Sequence, residues 1–164
     1  MPKLISCGSR DSTFSDLKTA CKIRQDEYVA MLIDSEDPVS DPEKTWDHLK
    51  ARDGWERPEN SSDEDVLFMM TCMETWITTD RKALKEVYGH DLQESALPSP
   101  FNIECEQRHD IQHALMHATR NSSKPYSKGK ESFELVGKLN PGVLDQHLVA
   151  FRRMKRILDE KLSN

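Results

Sequence analysis

Three acids stand where this chain is expected to leave β-strands. Tyr28-Val29-Ala30-Met31-Leu32-Ile33 is an almost unbroken apolar run that closes on Asp34-Ser35-Glu36-Asp37. Such a run reads as a strand buried on both faces of a parallel sheet. Side chains alternate along an extended strand, so Asp34 and Glu36 are expected on one side, about 7 Å apart. Two hard oxygens at the carboxyl edge of a sheet suit a divalent cation. An acidic strand exit that merely caps the next element needs no metal. A second apolar run, Val66 to Cys72, passes into Met73-Glu74-Thr75-Trp76. A helix starting there puts Glu74 in its first turn, where the dipole favours the carboxylate. Acids converging at a sheet edge are what metal-assisted phosphoryl transfer uses, because Mg²⁺ neutralises the scissile phosphate and activates water. Asp34, Glu36 and Glu74 are therefore the candidate metal ligands and catalytic groups, with Mg²⁺ or Mn²⁺ as the cofactor.

The elements that would position them follow from periodicity. Lys3-Leu4-Ile5-Ser6-Cys7 reads as a short strand, and Gly8-Ser9-Arg10-Asp11 as a turn into a helix from about Thr13 to Arg24, capped by Ser12 or Thr13. With the Tyr28 strand this makes a βαβ unit. Such a unit carries both strand exits to one sheet edge, so Arg10 is expected near Asp34 and Glu36 as a phosphate contact, unless it is simply a solvated loop arginine. Asp41-Pro42-Glu43 resembles the start of a helix running through Leu49, with Trp46 and Leu49 inward. Residues 51–65 read as a loop with Trp55 as its anchor, and Thr79 or Asp80 as the cap of a helix that stops at Gly89. From Glu104 onward the pattern is helical: Ile111, Leu115 and Ala118, then Phe133, Val136 and Leu139, then Leu148, Phe151, Met154, Leu158 and Leu162. The expected fold is thus a three-layer α/β domain. Its mainly parallel sheet would hold strands near 3–7, 28–34 and 66–72, and its C-terminal half would be helical. One domain is expected over 1–164, with an α/β core at 1–90 and a helical part at 91–164.

Composition narrows the partners. A net charge of −6 argues against a protein coated with basic charge, so nucleic-acid contact would need a local patch or a metal-bridged phosphate. The sequence shows neither a charged leader with an apolar core nor a long apolar span, so a cytoplasmic protein without a membrane partner is expected. Cys7, Cys21, Cys72 and Cys105 lie far apart with no CxxC spacing, which predicts reduced thiols, mostly buried.

Other constellations compete for a role. His109, His113 and His117 recur every four residues along one helix flank, either as a transition-metal site or as a solvated polar flank. Gly129-Lys130-Glu131-Ser132 lacks the first glycine and the preceding strand of a phosphate loop. No Gly-x-Ser-x-Gly occurs. Arg152, Arg153, Lys155 and Arg156 form the densest basic patch, read as a solvated helix face or a phosphate-backbone contact.

Several short motifs occur in a recognisable order: Leu32-Ile33-Asp34-Ser35-Glu36, Trp46-Asp47-His48-Leu49, Met73-Glu74-Thr75-Trp76 with Asp80, Ala96-Leu97-Pro98 to Ile103-Glu104, and Tyr126-Ser127-Lys128-Gly129. Together they resemble an uncharacterised bacterial domain-of-unknown-function family related to Toprim, over about Cys7 to Leu162. The resemblance implies a Toprim-like α/β fold in which a first-strand glutamate and a DxD-type pair hold Mg²⁺ to cleave or join nucleic-acid phosphodiesters. It also implies an ABC-type ATPase partner of the phage-defence kind. By it Asp34 and Glu36 match the acidic pair, Glu74 matches the acid of the Met-Glu-x-Trp motif, and Lys128 is a phosphate contact. Two departures stand out. The first-strand glutamate-glycine has no counterpart, since Met1 to Cys7 already resembles the family's second strand, and the basic site after Glu104 is met only by Arg108. The implied function is a Mg²⁺-dependent nuclease, or the nuclease-like subunit of an ATPase-coupled system. The alternative is a non-catalytic interaction subunit that keeps the fold without the general acid/base glutamate.

Overall fold

The computed structural model describes residues 3–24 and 26–163. The chain divides into two compact units. The first gathers residues up to Ile33, Ser40–Phe68 and Arg153 onward; the second gathers Asp34–Val39 and Met69–Arg152. Both strand ends and the last helix pass from one unit to the other.

In the first unit, α1 (Arg10–Ile23) begins one turn earlier than its pattern suggested. Ser9, not Ser12 or Thr13, caps it by accepting the Ser12 N–H. Phe14, Leu17 and Cys21 form its buried stripe. Phe14 stacks on Trp55 at 4.3 Å, which fixes the loop that Trp55 was expected to anchor. Helix α2 (Thr45–Asp53) starts four residues after Asp41, because the Asp41 carboxylate closes a turn on the Glu43 N–H instead of capping a helix. Trp46 and Leu49 are buried in it as expected. Gly54, at φ 70°, ends it in the left-handed conformation that glycine tolerates.

Strands β1 (Met31–Asp34) and β2 (Val66–Met69) pair in parallel as a two-stranded sheet, shorter and narrower than the sheet expected. Residues 3–7 form no strand, and Leu4 and Ile5 are 91% and 61% exposed. A strand needs a partner ladder as well as β-forming residues, and this segment has none in the described structure. β1 also departs from the two-faced burial its apolar run implied. Met31 and Ile33 are buried while Leu32 points outward, so the alternation of a one-faced strand governs it. Of the two strands, β2 is the one that buries both faces, through Val66, Leu67 and Phe68.

Arg153, on α8 (Val149–Leu162), is a further correction. It is 6% exposed, donates to the carbonyls of Val66 and Asp63, and pairs with Glu43 at 3.0 Å. A guanidinium spent on two carbonyls and a carboxylate staples the first unit and is not the solvated or phosphate-facing cation its patch suggested. Arg156 joins it on Glu43.

The second unit is helical after the strand exits: α3 (Met73–Thr79), α4 (Arg81–Tyr88), α5 (Arg108–Thr119), α6 (Lys130–Val136), α7 (Pro141–His147) and the start of α8. Asp80 joins α3 to α4, accepting the Ala83 N–H as a cap and the Asn140 N–H from a distant loop. The core packs Met73, Ile77, Leu84, Leu115, Ala118, Tyr126 and Leu135. Leu135 is buried in the core with Val136 and Leu139 packed against it as predicted, whereas Phe133 of the same pattern is 70% exposed. All four cysteines are thiols, with Cys21 and Cys72 buried and Cys105 exposed. Among the described residues no helix is long and apolar enough to cross a membrane. The coarse expectation of a mixed α/β protein, helical in its second half, holds.

Candidate functional site

The two strand exits lie together in the second unit. The Ser35 N–H donates to the Met69 carbonyl at 3.0 Å, and the Glu36 N–H to the Thr71 carbonyl at 2.8 Å. Parallel pairing thus continues past the strands and ties the Asp34–Asp37 segment to the one that leads into α3. Asp34 and Glu36 do not share an extended face, however. The strand ends at Asp34, and Glu36 sits at φ 71°, so the alternation that would align their side chains stops between them. The Ser35 hydroxyl donates to the Asp37 carbonyl at 2.7 Å and holds this tight turn.

Glu74 lies in the first turn of α3, as expected, and is fully buried. Its Oε1 accepts the Tyr126 hydroxyl at 2.9 Å, and its Oε2 accepts the Gln112 amide at 3.3 Å. The network extends further: Tyr126 and Ser132 hydroxyls lie 3.1 Å apart, and Ser132 Oγ accepts the Gly129 N–H. Burial raises the Tyr126 phenol, Ser132 opposes the shift, and the Glu74 charge adds to it, so the phenol stays a donor. The Cys72 thiol is pushed up to about 12, first by desolvation, then by Glu74, with a smaller push from Asp34. The charges of two of the three acids thus add to burial in keeping this thiol protonated, and it is no nucleophile in this setting.

Glu36 is paired with Arg108, the first residue of α5. Arg108 and Gln112 stand one turn apart on α5, and each reaches one of the predicted acids. Lys128 is exposed in the loop between α5 and α6, two residues after Tyr126. Arg10 lies in the first unit, where it bonds Asp53 at 2.6 Å and covers the Trp55 ring.

A divalent ion is poorly served by this arrangement. Glu36 is engaged by a guanidinium, and both Glu74 oxygens are engaged by side-chain donors. Among the described residues no three His, Cys, Asp or Glu side chains are grouped so as to hold a metal ion. The residues as placed do not fit a three-carboxylate metal site. Tyr126, Gln112 and Ser132 are the contributors that sequence reasoning did not assign. Tyr126 was visible only as the first residue of the Tyr-Ser-Lys-Gly motif, and Gln112 only as the residue one turn after Arg108.

The fold and these hydrogen bonds define a mixed α/β protein with a buried acid at the exits of a short parallel sheet. A family model, the domain of unknown function DUF4276, matches residues 3–159, and the chain belongs to that family. Neither a curated protein nor a solved structure matches the chain.

Proposed function

We propose that this protein is the nuclease-like subunit of an ATPase-coupled, nucleic-acid-directed system of the phage-defence kind, keeping a Toprim-like acid arrangement without acting as a nuclease alone. The observation that supports this is that the chain answers its own acids: Arg108 neutralises Glu36, while Tyr126 and Gln112 solvate Glu74. A site built to receive Mg²⁺ leaves carboxylate oxygens for the cation. Here protein donors take that place, as in a subunit whose acids have become structural or await a partner. An ABC-type ATPase is the partner class this reading carries.

The rival is a self-sufficient Mg²⁺-dependent nuclease that uses Asp34, Glu36 and Glu74 as ligands and Arg10 and Lys128 as phosphate contacts. It is favoured by the joined strand exits, which bring the Asp34–Asp37 segment beside the one leading to Glu74. Calorimetric titration of Mg²⁺ and Mn²⁺ into the purified chain separates the two. Our reading expects no binding heat at millimolar metal and no gain in melting temperature. The rival expects about 1.4 kcal/mol of stabilisation at tenfold excess over Kd, lost in Asp34→Asn. It also expects Asp34→Asn and Glu36→Gln to melt higher than wild type in EDTA, because neutralisation relieves repulsion among converging acids. Saturable metal binding that both substitutions abolish overturns our proposal.

A further inference from the structure

The stretch from Arg108 to Lys130 departs from the rest of this acidic chain. It carries five lysines and arginines, three histidines and a single carboxylate, Asp110. Helix α5 sorts these side chains by face. Ile111, Leu115 and Ala118 are buried, and Arg108 and Gln112 reach Glu36 and Glu74. On the outer flank His109, His113 and Arg120 are exposed, with Met116 at 46% exposure beside them. The rings of His113 and His117 lie 6.4 Å apart and 27° from parallel, and Arg120 bonds His117 Nε2. The following loop is fixed at its middle. Tyr126 donates its N–H to Thr119 Oγ1 at 2.9 Å and its hydroxyl to Glu74, so Lys124 and Lys128, both exposed, project from an anchored loop.

We infer that the outer flank of α5 and the Lys124–Lys128 loop form a binding strip for single-stranded nucleic acid. The inference rests on the nuclease-like reading and gives it a substrate path. Two features carry it, one on the exposed flank of α5 and one in the loop that directly follows this helix. Exposed cations follow a phosphate backbone through counterion release, and the exposed His113 ring with the half-buried His117 ring beside it offers aromatic faces on which unpaired bases stack. A duplex keeps its bases stacked on each other and would use the cations alone. The strip shares its helix and its loop with the donors to Glu36 and Glu74. The cations are local, which reconciles a polyanion partner with a net charge of −6.

Fluorescence anisotropy in EDTA and low salt tests this, using fluorescein-labelled dT and U 20-mers and a 20-base-pair duplex. Omitting metal keeps the test separate from the acid site: loss of strip binding leaves the Mg²⁺ titration result standing, and the reverse. Wild type is expected to bind both single strands and to prefer them to the duplex. The Lys124→Glu/Lys128→Glu double variant should weaken binding and lower the slope of log K against log salt by about 1.4, roughly 0.7 for each phosphate no longer neutralised. The His113→Ala/His117→Ala variant should weaken single-strand binding about tenfold, the equivalent of one base stacked on a ring, with less effect on the duplex. Lys18→Glu/Lys22→Glu on α1 serves as a charge-matched control and should bind as wild type does. All these side chains lie on helix surfaces or in the loop, and circular dichroism checks that each variant is folded. The inference is overturned if wild type does not bind in low salt, if the α1 control loses as much affinity as the loop variant, or if the duplex binds as tightly as the single strands.

Discussion

Two glutamates are buried in the second unit, and they are held in opposite ways. Glu104 receives two backbone N–H groups, from Val149 at 2.6 Å and Ala150 at 3.0 Å, and so caps the start of α8 from a distant segment. Among the described residues Glu74 receives only side-chain donors, the Tyr126 phenol and the Gln112 amide. The first arrangement accounts for its carboxylate completely, since a helix start has N–H groups that need acceptors. The second does not, because no backbone group requires a carboxylate there and an apolar side chain would avoid the desolvation cost. A buried acid held only by side chains has no helix end that requires it, and one that serves a helix end is accounted for by structure.

Removing the structural acid should cost most. Glu104→Ala leaves two N–H groups at the start of α8 without their acceptor. Urea denaturation should show a loss of about 2–4 kcal/mol, from the cap and the buried donors together. Its pH dependence has a definite sign. Burial raises Glu104 above the usual glutamate range, against the two N–H groups that lower it. The folded chain therefore holds the proton more tightly than the unfolded chain. This contribution to stability is full below the unfolded value of about 4.3 and is lost as pH rises through the folded pKa. Glu104→Gln cannot titrate. The stability difference between wild type and Glu104→Gln should shift in favour of wild type on acidification toward about pH 4.3. A difference that stays flat would show that the N–H donors cancel burial, and one that moves against wild type on acidification that they outweigh it.

Glu74 should respond less, and in a coupled way. Tyr126→Phe removes a hydroxyl from a fully buried carboxylate and is expected to cost about 1–3 kcal/mol. In Glu74→Gln the same phenylalanine change should cost less, because an amide tolerates the missing donor better than a charge does. A double-mutant cycle should give a coupling above about 0.5 kcal/mol. Additive effects would mean that the phenol serves Ser132 and its loop, and the contrast with Glu104 would fail.

The sequence carried the acids but not their donors. Asp34, Glu36 and Glu74 were legible because apolar runs ending on carboxylates signal strand exits without any knowledge of neighbours. The left-handed Glu36 was not, because a two-residue polar turn follows the strand too closely for alternation to reveal where it ends. The segment 3–7 looked like a strand because propensity and alternation describe a residue's fitness for a sheet and not the presence of a partner edge. Arg153 looked exposed because it sits among cations, while its acceptors Val66, Asp63 and Glu43 come from far along the chain. Tyr126 lies 52 positions from Glu74, and no local pattern links residues at that separation.

The smallest expected effect on stability is the most informative about the acids. Arg108 and Glu36 form a partly exposed pair, and Arg108→Ala should cost only about 0–1 kcal/mol, because solvent screens the attraction and fixing two side chains offsets much of it. Its effect on the site is larger in kind. Without the guanidinium, Glu36 carries an uncompensated charge beside the exit that also holds Asp34. If the pair alone keeps a cation out, the variant should acquire a calorimetric response to Mn²⁺ that wild type lacks, and Arg108→Ala/Glu36→Gln should lose it again. If Arg108→Ala remains silent to metal, Tyr126 and Gln112 are what commit the site. The acids would then stay a protein-solvated feature whichever partner the chain meets, and the self-sufficient nuclease reading would have no route left.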